Sequence, residues 1–284
     1  MTTPHHQEVV AAFEDDLPVG SGTARTFGDR VRAYLPAAVA FVAVMALWEG
    51  AIRLFDVQAF VLPAPTVIVR RFFDTAPVIW TAGFNTLIEA VGGLVGGTVL
   101  AVSVAFATVR WVPIREGLMP FAIAANSIPI IALAPIANGM FPITSQVPKM
   151  AVVGVVVFFP VMINTSRGLL EVDPDELELM RSYAATPKEV MWQVRVPHAL
   201  PYFFSAMKVV AVLSIVFAIV AEYFGGSQEV LGQYILGKAS LFVYPDAWAG
   251  ILVASILGVT LYAVVVITER LVMPWHVSFR ADTP

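Results

Sequence analysis

Six apolar stretches divide the chain: Leu35–Leu54, Phe84–Val109, Leu118–Met140, Pro148–Met162, Tyr202–Phe224 and Ala247–Leu271. A helix crosses a bilayer with roughly 20 mostly apolar residues, because it rises about 1.5 Å per residue and satisfies its backbone N–H and C=O groups internally. Five of the stretches meet that length, and the fourth is the shortest. Only 13% of the 284 residues are charged and 58% are hydrophobic, whereas soluble domains carry about a quarter charged residues. The pattern predicts an all-α polytopic membrane protein with about six transmembrane helices over residues 34–273. Residues 1–33 and 274–284 are expected to be tails, the first of them flexible.

Several function classes drop out on composition. The net charge is −4, and no Lys/Arg-rich run exists to track nucleic-acid phosphates. The absence of cysteine removes thiolate catalysis and Cys-based zinc sites. No metal site is expected. Gly232–Ala239 resembles a phosphate-binding loop, but Ala239 stands where Ser or Thr would hold Mg²⁺, and no hydrophobic strand precedes it. The chain is not expected to hydrolyse ATP itself.

Basic residues set the orientation. With the N-terminus in the cytoplasm, 12 of the 17 Lys and Arg fall on the inner side. Both termini and the long connection Asn164–Pro201 are then cytoplasmic. Within that connection, Asp173-Pro174-Asp175-Glu176 and Thr186-Pro187-Lys188-Glu189 each place an N-cap residue before proline, with Glu three residues on. Both read as capping boxes with proline at the first helical position. They predict two helices, Pro174–Tyr183 and Pro187–Val196, joined by a bend at Ala184-Ala185, with Pro197 and Pro201 breaking the chain before the fifth span. Leu177, Met180, Tyr183, Val190, Met191 and Trp192 form an apolar face rimmed by charge, as an interface does.

This loop resembles the EAA loop of the permeases of bacterial ABC importers. Glu178-Leu179-Met180 stands for E-A-A, Ala184 occupies the usual glycine position, and Val194-Arg195-Val196-Pro197 stands for I-x-L-P. Leu62-Pro63-Ala64-Pro65, Ile128-Pro129 through Ala134-Pro135, Phe158-Phe159-Pro160 and Ala221-Glu222-Tyr223-Phe224-Gly225-Gly226 resemble the branch for sulfonates, taurine, nitrate and thiamine precursors. The resemblance implies a permease in the bacterial inner membrane for a small polar or anionic organic solute. Its implied partners are two cytosolic ABC ATPases, a second permease subunit in a homodimer, and an external binding protein. It implies no cofactor in this chain, since ATP and Mg²⁺ belong to the ATPases. It carries ATPase coupling onto Glu178, Leu179, Met180, Tyr183, Ala184, Ala185, Thr186, Trp192 and Pro197. If the bend needs a positive φ, Ala184 costs roughly 1 kcal/mol there.

Polar groups inside spans are candidates for the translocation path. Asn126 and Ser127 lie halfway along the third stretch beside Pro129, and Asn164 and Thr165 end the fourth. Glu89 and Glu222 lie toward the outer ends of theirs, Glu89 with no cation near it in sequence. Glu49 is expected to pair with Arg53 four residues on, and Lys208 to snorkel toward the inner surface. Gly92-Gly93 and Gly96-Gly97 are spaced for close helix packing within the chain. The alternative function, an ion-gradient-driven carrier, would need acids at mid-depth and internal repeats; neither is visible.

Overall fold

A computed structural model describes residues 27–113, 116–117, 130–142, 145–227 and 229–275, with backbone alone for 27–34 and 130. Two units are distinguished, residues 1–43 with 275–284, and Val44–Pro274. The described part of the first is the opening of helix α1 (Phe27–Leu54) and Trp275. The α1 helix therefore starts seven residues inside the segment expected to be a tail.

The second unit is built from helices. After the end of α1 come α2 (Pro65–Asp74), α3 (Ala76–Arg110), α4 (Ile130–Gly139) and α5 (Val147–Leu170). The connection to the next long helix holds α6 (Pro174–Ser182) and α7 (Pro187–Val190); a π-helical turn, Met191–Arg195, follows. Then come α8 (Val196–Tyr223), α9 (Leu231–Ser240) and α10 (Tyr244–Val272). Among the described residues, five helices are long and apolar enough to cross a membrane. Of the third apolar stretch, only Ile130–Met140 is described, and α4 is its helix; Asn126, Ser127 and Pro129 lie outside the described residues.

The helices run longer than the apolar stretches. The α3 helix begins at Ala76, eight residues early, because Pro77 in its first turn removes only an N–H that has no helical partner anyway. The α5 helix runs past Met162 to Leu170, so Asn164 and Thr165 lie inside it rather than at its end. Their segment stays helical because it is packed: Thr165, Ser166, Gly168 and Leu169 are all buried.

The expected break before the fifth span is absent. The helix is continuous from Pro187 to Tyr223, 37 residues, or about 55 Å at 1.5 Å per residue. Proline removes one backbone donor and bends a helix, but neighbouring packing and a local π turn can absorb the mismatch. Here the π turn ends at Arg195, two residues before Pro197, and Pro201 lies inside α8.

Glycine sets how closely the core helices approach. A Cβ on Gly97 would stand 2.5 Å from the Gly154 carbonyl oxygen, and one on Gly93 2.5 Å from Val153 Cβ. Gly92, Gly93 and Gly97 thus serve contact between α3 and α5, as their spacing suggests, while Gly96 faces open space. Lipid tails are as apolar as leucine side chains, so such van der Waals contact, rather than the hydrophobic effect, holds these helices together. Gly168 repeats the device at the other end of α5, where a Cβ would lie 2.6 Å from Ala199 Cα of α8. Ile79, Leu94, Val153, Val157, Val210 and Ile215 fill the core between α3, α5 and α8.

The α2 helix is tied to α1. The Glu49 carboxylate accepts from Arg53 at 2.6 Å, from the Thr66 hydroxyl at 2.8 Å and from the Thr66 N–H at 3.2 Å. The expected Glu49–Arg53 pair is present, and the same carboxylate also serves an unpaired N–H of the first turn of α2. Lys208 extends toward the last turn of α10. It pairs with Glu269 of α10 at 2.9 Å, where Glu269 is buried.

Candidate functional site

The 171–201 region is set by helix ends. The Asp173 carboxylate accepts from the Asp175 N–H at 2.9 Å, which starts α6. No bond from Glu176 completes the expected box; it is a simple N-cap. The α7 box is complete: Thr186 Oγ1 accepts from the Glu189 N–H at 3.3 Å, and the Glu189 carboxylate accepts from the Thr186 N–H at 2.7 Å.

Between them, Ala184 has φ of +50°. The Ala185 N–H reaches the Met180 carbonyl at 3.0 Å, and the Ala184 N–H reaches that of Arg181 at 2.9 Å. This is the six-to-one and five-to-two pattern of a helix closed by a left-handed residue, a place usually taken by glycine. The bend thus has the glycine-type geometry with alanine in it.

The coupling candidates fall into two groups. Glu178, Leu179, Tyr183, Ala184, Thr186 and Trp192 are exposed, with Tyr183 at 75% and Trp192 at 58%. Met180, Ala185 and Pro197 are half-buried. Large apolar side chains are therefore presented on a polar, capped scaffold. Trp192 also leans on Phe106 of α3, ring centres 6.2 Å apart.

Two side chains after the loop tie it to the end of α5. Arg195 donates to the Leu169 carbonyl at 2.5 Å, and His198 Nδ1 lies 2.8 Å from the Gly168 carbonyl. These carbonyls are among the last four of α5, which no helical N–H can satisfy. Neither residue was expected to be important from sequence; the cue was a basic residue and a histidine returning beside a helix C-terminus.

Of the path candidates that the structure describes, Glu89 and Glu222 are brought together and Asn164 stands apart from them. Asn164 gives its amide to the Pro160 carbonyl of its own helix at 2.8 Å. Glu89 and Glu222 meet at the end of the bundle opposite the loop. They are 1% and 0% exposed, and their carboxyls act on each other. Lys149 of α5, 2% exposed, acts on both carboxyls. Glu89 has no cation near it in sequence, but it has one in space. The sequence resembling a phosphate loop is helix α9, with Gly232 in its first turn packed against Glu222; that geometry leaves no phosphate cradle.

Known proteins agree with this architecture. Residues 93–275 match the family described as "Binding-protein-dependent transport system inner membrane component". The chain is 28% identical over 237 residues to the formylaminopyrimidine transport permease protein ThiX of Halalkalibacterium halodurans, covering 83% of this chain and 94% of that one. It is 26% identical over 244 residues to the riboflavin transport system permease protein RibX of Chloroflexus aurantiacus, covering 84% and 90%. A solved structure, titled as an amino acid ABC transporter with histidines, shares the fold at a TM-score of 0.56 and 18% identity over 70% of this chain and 95% of that one. These matches favour ATP-driven import over an ion-gradient carrier, and they leave ATP hydrolysis to separate subunits. The chain belongs to the binding-protein-dependent transport system inner membrane components, the permease subunits of ABC importers.

Proposed function

We propose that the chain moves a small polar or anionic organic solute across the bacterial inner membrane as one of two identical permease subunits. Two cytosolic ATPases grip its 170–201 loops, and an external binding protein delivers the solute. Both termini and the loop face the cytoplasm. Formylaminopyrimidine and riboflavin, in the names of two relatives, are small polar organic molecules and support the solute class. Asn126, Ser127 and Asn164 are assigned to the path, and Glu89 and Glu222 to its outer end.

One observation carries the docking role. Exposed Leu179, Tyr183 and Trp192 sit on two capped helices, the second continuous with a membrane-length helix. An ATPase that moves this surface moves α8 with it. Glu178, exposed on α6, is placed to meet a basic group of the ATPase. The test is copurification: Met180→Asp with Trp192→Asp should abolish ATPase association while membrane insertion is unchanged. Undiminished copurification refutes the docking assignment.

A further inference from the structure

The α9 helix begins without a cap of its own. Its N-cap residue is Val230, whose side chain cannot accept a hydrogen bond. The first N–H groups of a helix have no helical partner, and leaving them unpaired away from water is costly. Two other helices supply what is missing. The Leu231 N–H donates to Thr86 Oγ1 of α3 at 3.0 Å, and the Gly232 N–H donates to Glu222 Oε2 of α8 at 2.6 Å. Gln233 Nε2 donates to the Glu222 carbonyl at 2.5 Å, and Asn85 Nδ2 to the Glu229 carbonyl at 2.8 Å. Thr86, Glu222 and Leu231 are all fully buried. Gly232 permits this seating, since a Cβ there would stand 2.6 Å from Glu222 Cβ.

The far end of α9 is held more loosely. Lys238 reaches Asp246 of α10 at 3.3 Å with a side chain 35% exposed. Asp246 is itself buried and Arg71 of α2 also lies 3.3 Å from it, but both cations are partly open to solvent, which weakens these pairs. The buried attachments of the two helix ends are therefore unequal: the N-terminal one is dry and made to helices α3 and α8. The Glu222 residue lies next to last in α8, the helix that runs unbroken from the docking loop. A displacement of the loop end is delivered along that helix to the carboxylate that holds α9.

We propose that Thr86 and Glu222 form a latch that seats α9 across the end of the bundle opposite the loop, and that α9 swings free when α8 withdraws Glu222. The latch rests on the importer reading for what drives it, but not for its existence. Gly225-Gly226, between α8 and α9, supplies the joint. The device gives Glu222, at the outer end of the path, a role through α9: it acts as a positioning residue rather than as a solute contact.

Hydrogen exchange of residues 229–240 in the intact chain in nanodiscs tests it in two arms. In the chain alone, Thr86→Val should speed exchange at Leu231 about fivefold, as loss of one net hydrogen bond implies. Glu222→Ala should do the same at Gly232, Thr86→Ser should restore slow exchange, and residues 196–215 should be unaffected by any of them. Wild-type exchange in Thr86→Val, or faster exchange equally through residues 196–215, overturns the latch. In the second arm the ATPase complex is trapped with ATP and vanadate. Faster exchange over 229–240 than in the nucleotide-free complex supports release by α8. An ATPase that binds and hydrolyses while 229–240 does not respond overturns the latch and leaves the importer reading standing. An ATPase that never associates refutes the proposed docking on the loop, and the first arm still decides the latch.

Discussion

Replacing Ala184 by glycine should tighten the loop. Ala184 holds φ of +50°, where the Cβ of an L-residue crowds the following carbonyl at a cost of about 1–2 kcal/mol. Glycine escapes that cost but loses about 0.5–1 kcal/mol through its greater freedom in the open chain. The net is a gain of roughly 0.5–1 kcal/mol for the closed bend, a two- to fivefold shift in its population at about 25 °C. The bonds it protects are those from Tyr183, Ala184 and Ala185 to Leu179, Arg181 and Met180, at 3.2, 2.9 and 3.0 Å. The assay is amide exchange of residues 179–187 in nanodiscs, where those amides should slow by the same factor. Ala184→Val, β-branched in the same left-handed position, should speed them. Exchange in Ala184→Gly as fast as or faster than wild type, with the rest of the chain unchanged, refutes the argument that the bend is strained by its side chain.

Three further outcomes are expected. Glu178→Ala should lower substrate-stimulated ATP hydrolysis and uptake together in reconstituted vesicles, while Glu176→Ala, whose side chain does not complete a capping box, should leave both near wild type; equal damage from the two removes Glu178 from coupling. Gly97→Ala should destabilise the α3–α5 contact by about 1–3 kcal/mol through overpacking, read as a fall in the detergent unfolding midpoint, while Gly96→Ala, with nothing within 4 Å of its Cβ, should be neutral. Lys208→Ala leaves buried Glu269 without this partner and, with Lys208 itself 28% exposed, should cost about 1–3 kcal/mol; an unchanged unfolding midpoint would show that the pair carries no such burden.

What the sequence disclosed was local in origin. Capping residues, prolines at helix starts and apolar runs act within a few positions, so α6, the start of α7 and the Ala184 bend were readable from neighbours alone. The errors arose where distant packing overrode a local signal. Asn164 and Thr165 look like the polar end of a span, but α5 runs on to Leu170 and Thr165 is buried in it. Pro197 and Pro201 look like stops, but the segment around them is pinned by Arg195 and His198 to carbonyls of α5. Assembly of Thr86, Glu89, Lys149 and Glu222 was invisible for a plain reason. Each comes from a different point of the chain, and no spacing rule links residues 86 and 231, 145 positions apart.

The π turn at Met191–Arg195 gives the helix one residue more than an α-helix of the same rise would hold. Each residue of an α-helix turns it by about 100°. Dropping any one of those five residues would leave a regular helix on both sides, and would rotate the Thr186–Val190 segment by about that angle against the rest of α8. The membrane-embedded packing would be unaltered, yet the side chains proposed to dock would point a quarter-turn or more away. The turn thus acts as a phase setting between two halves of one shaft, and fit to an ATPase becomes a property of chain length as well as of surface chemistry.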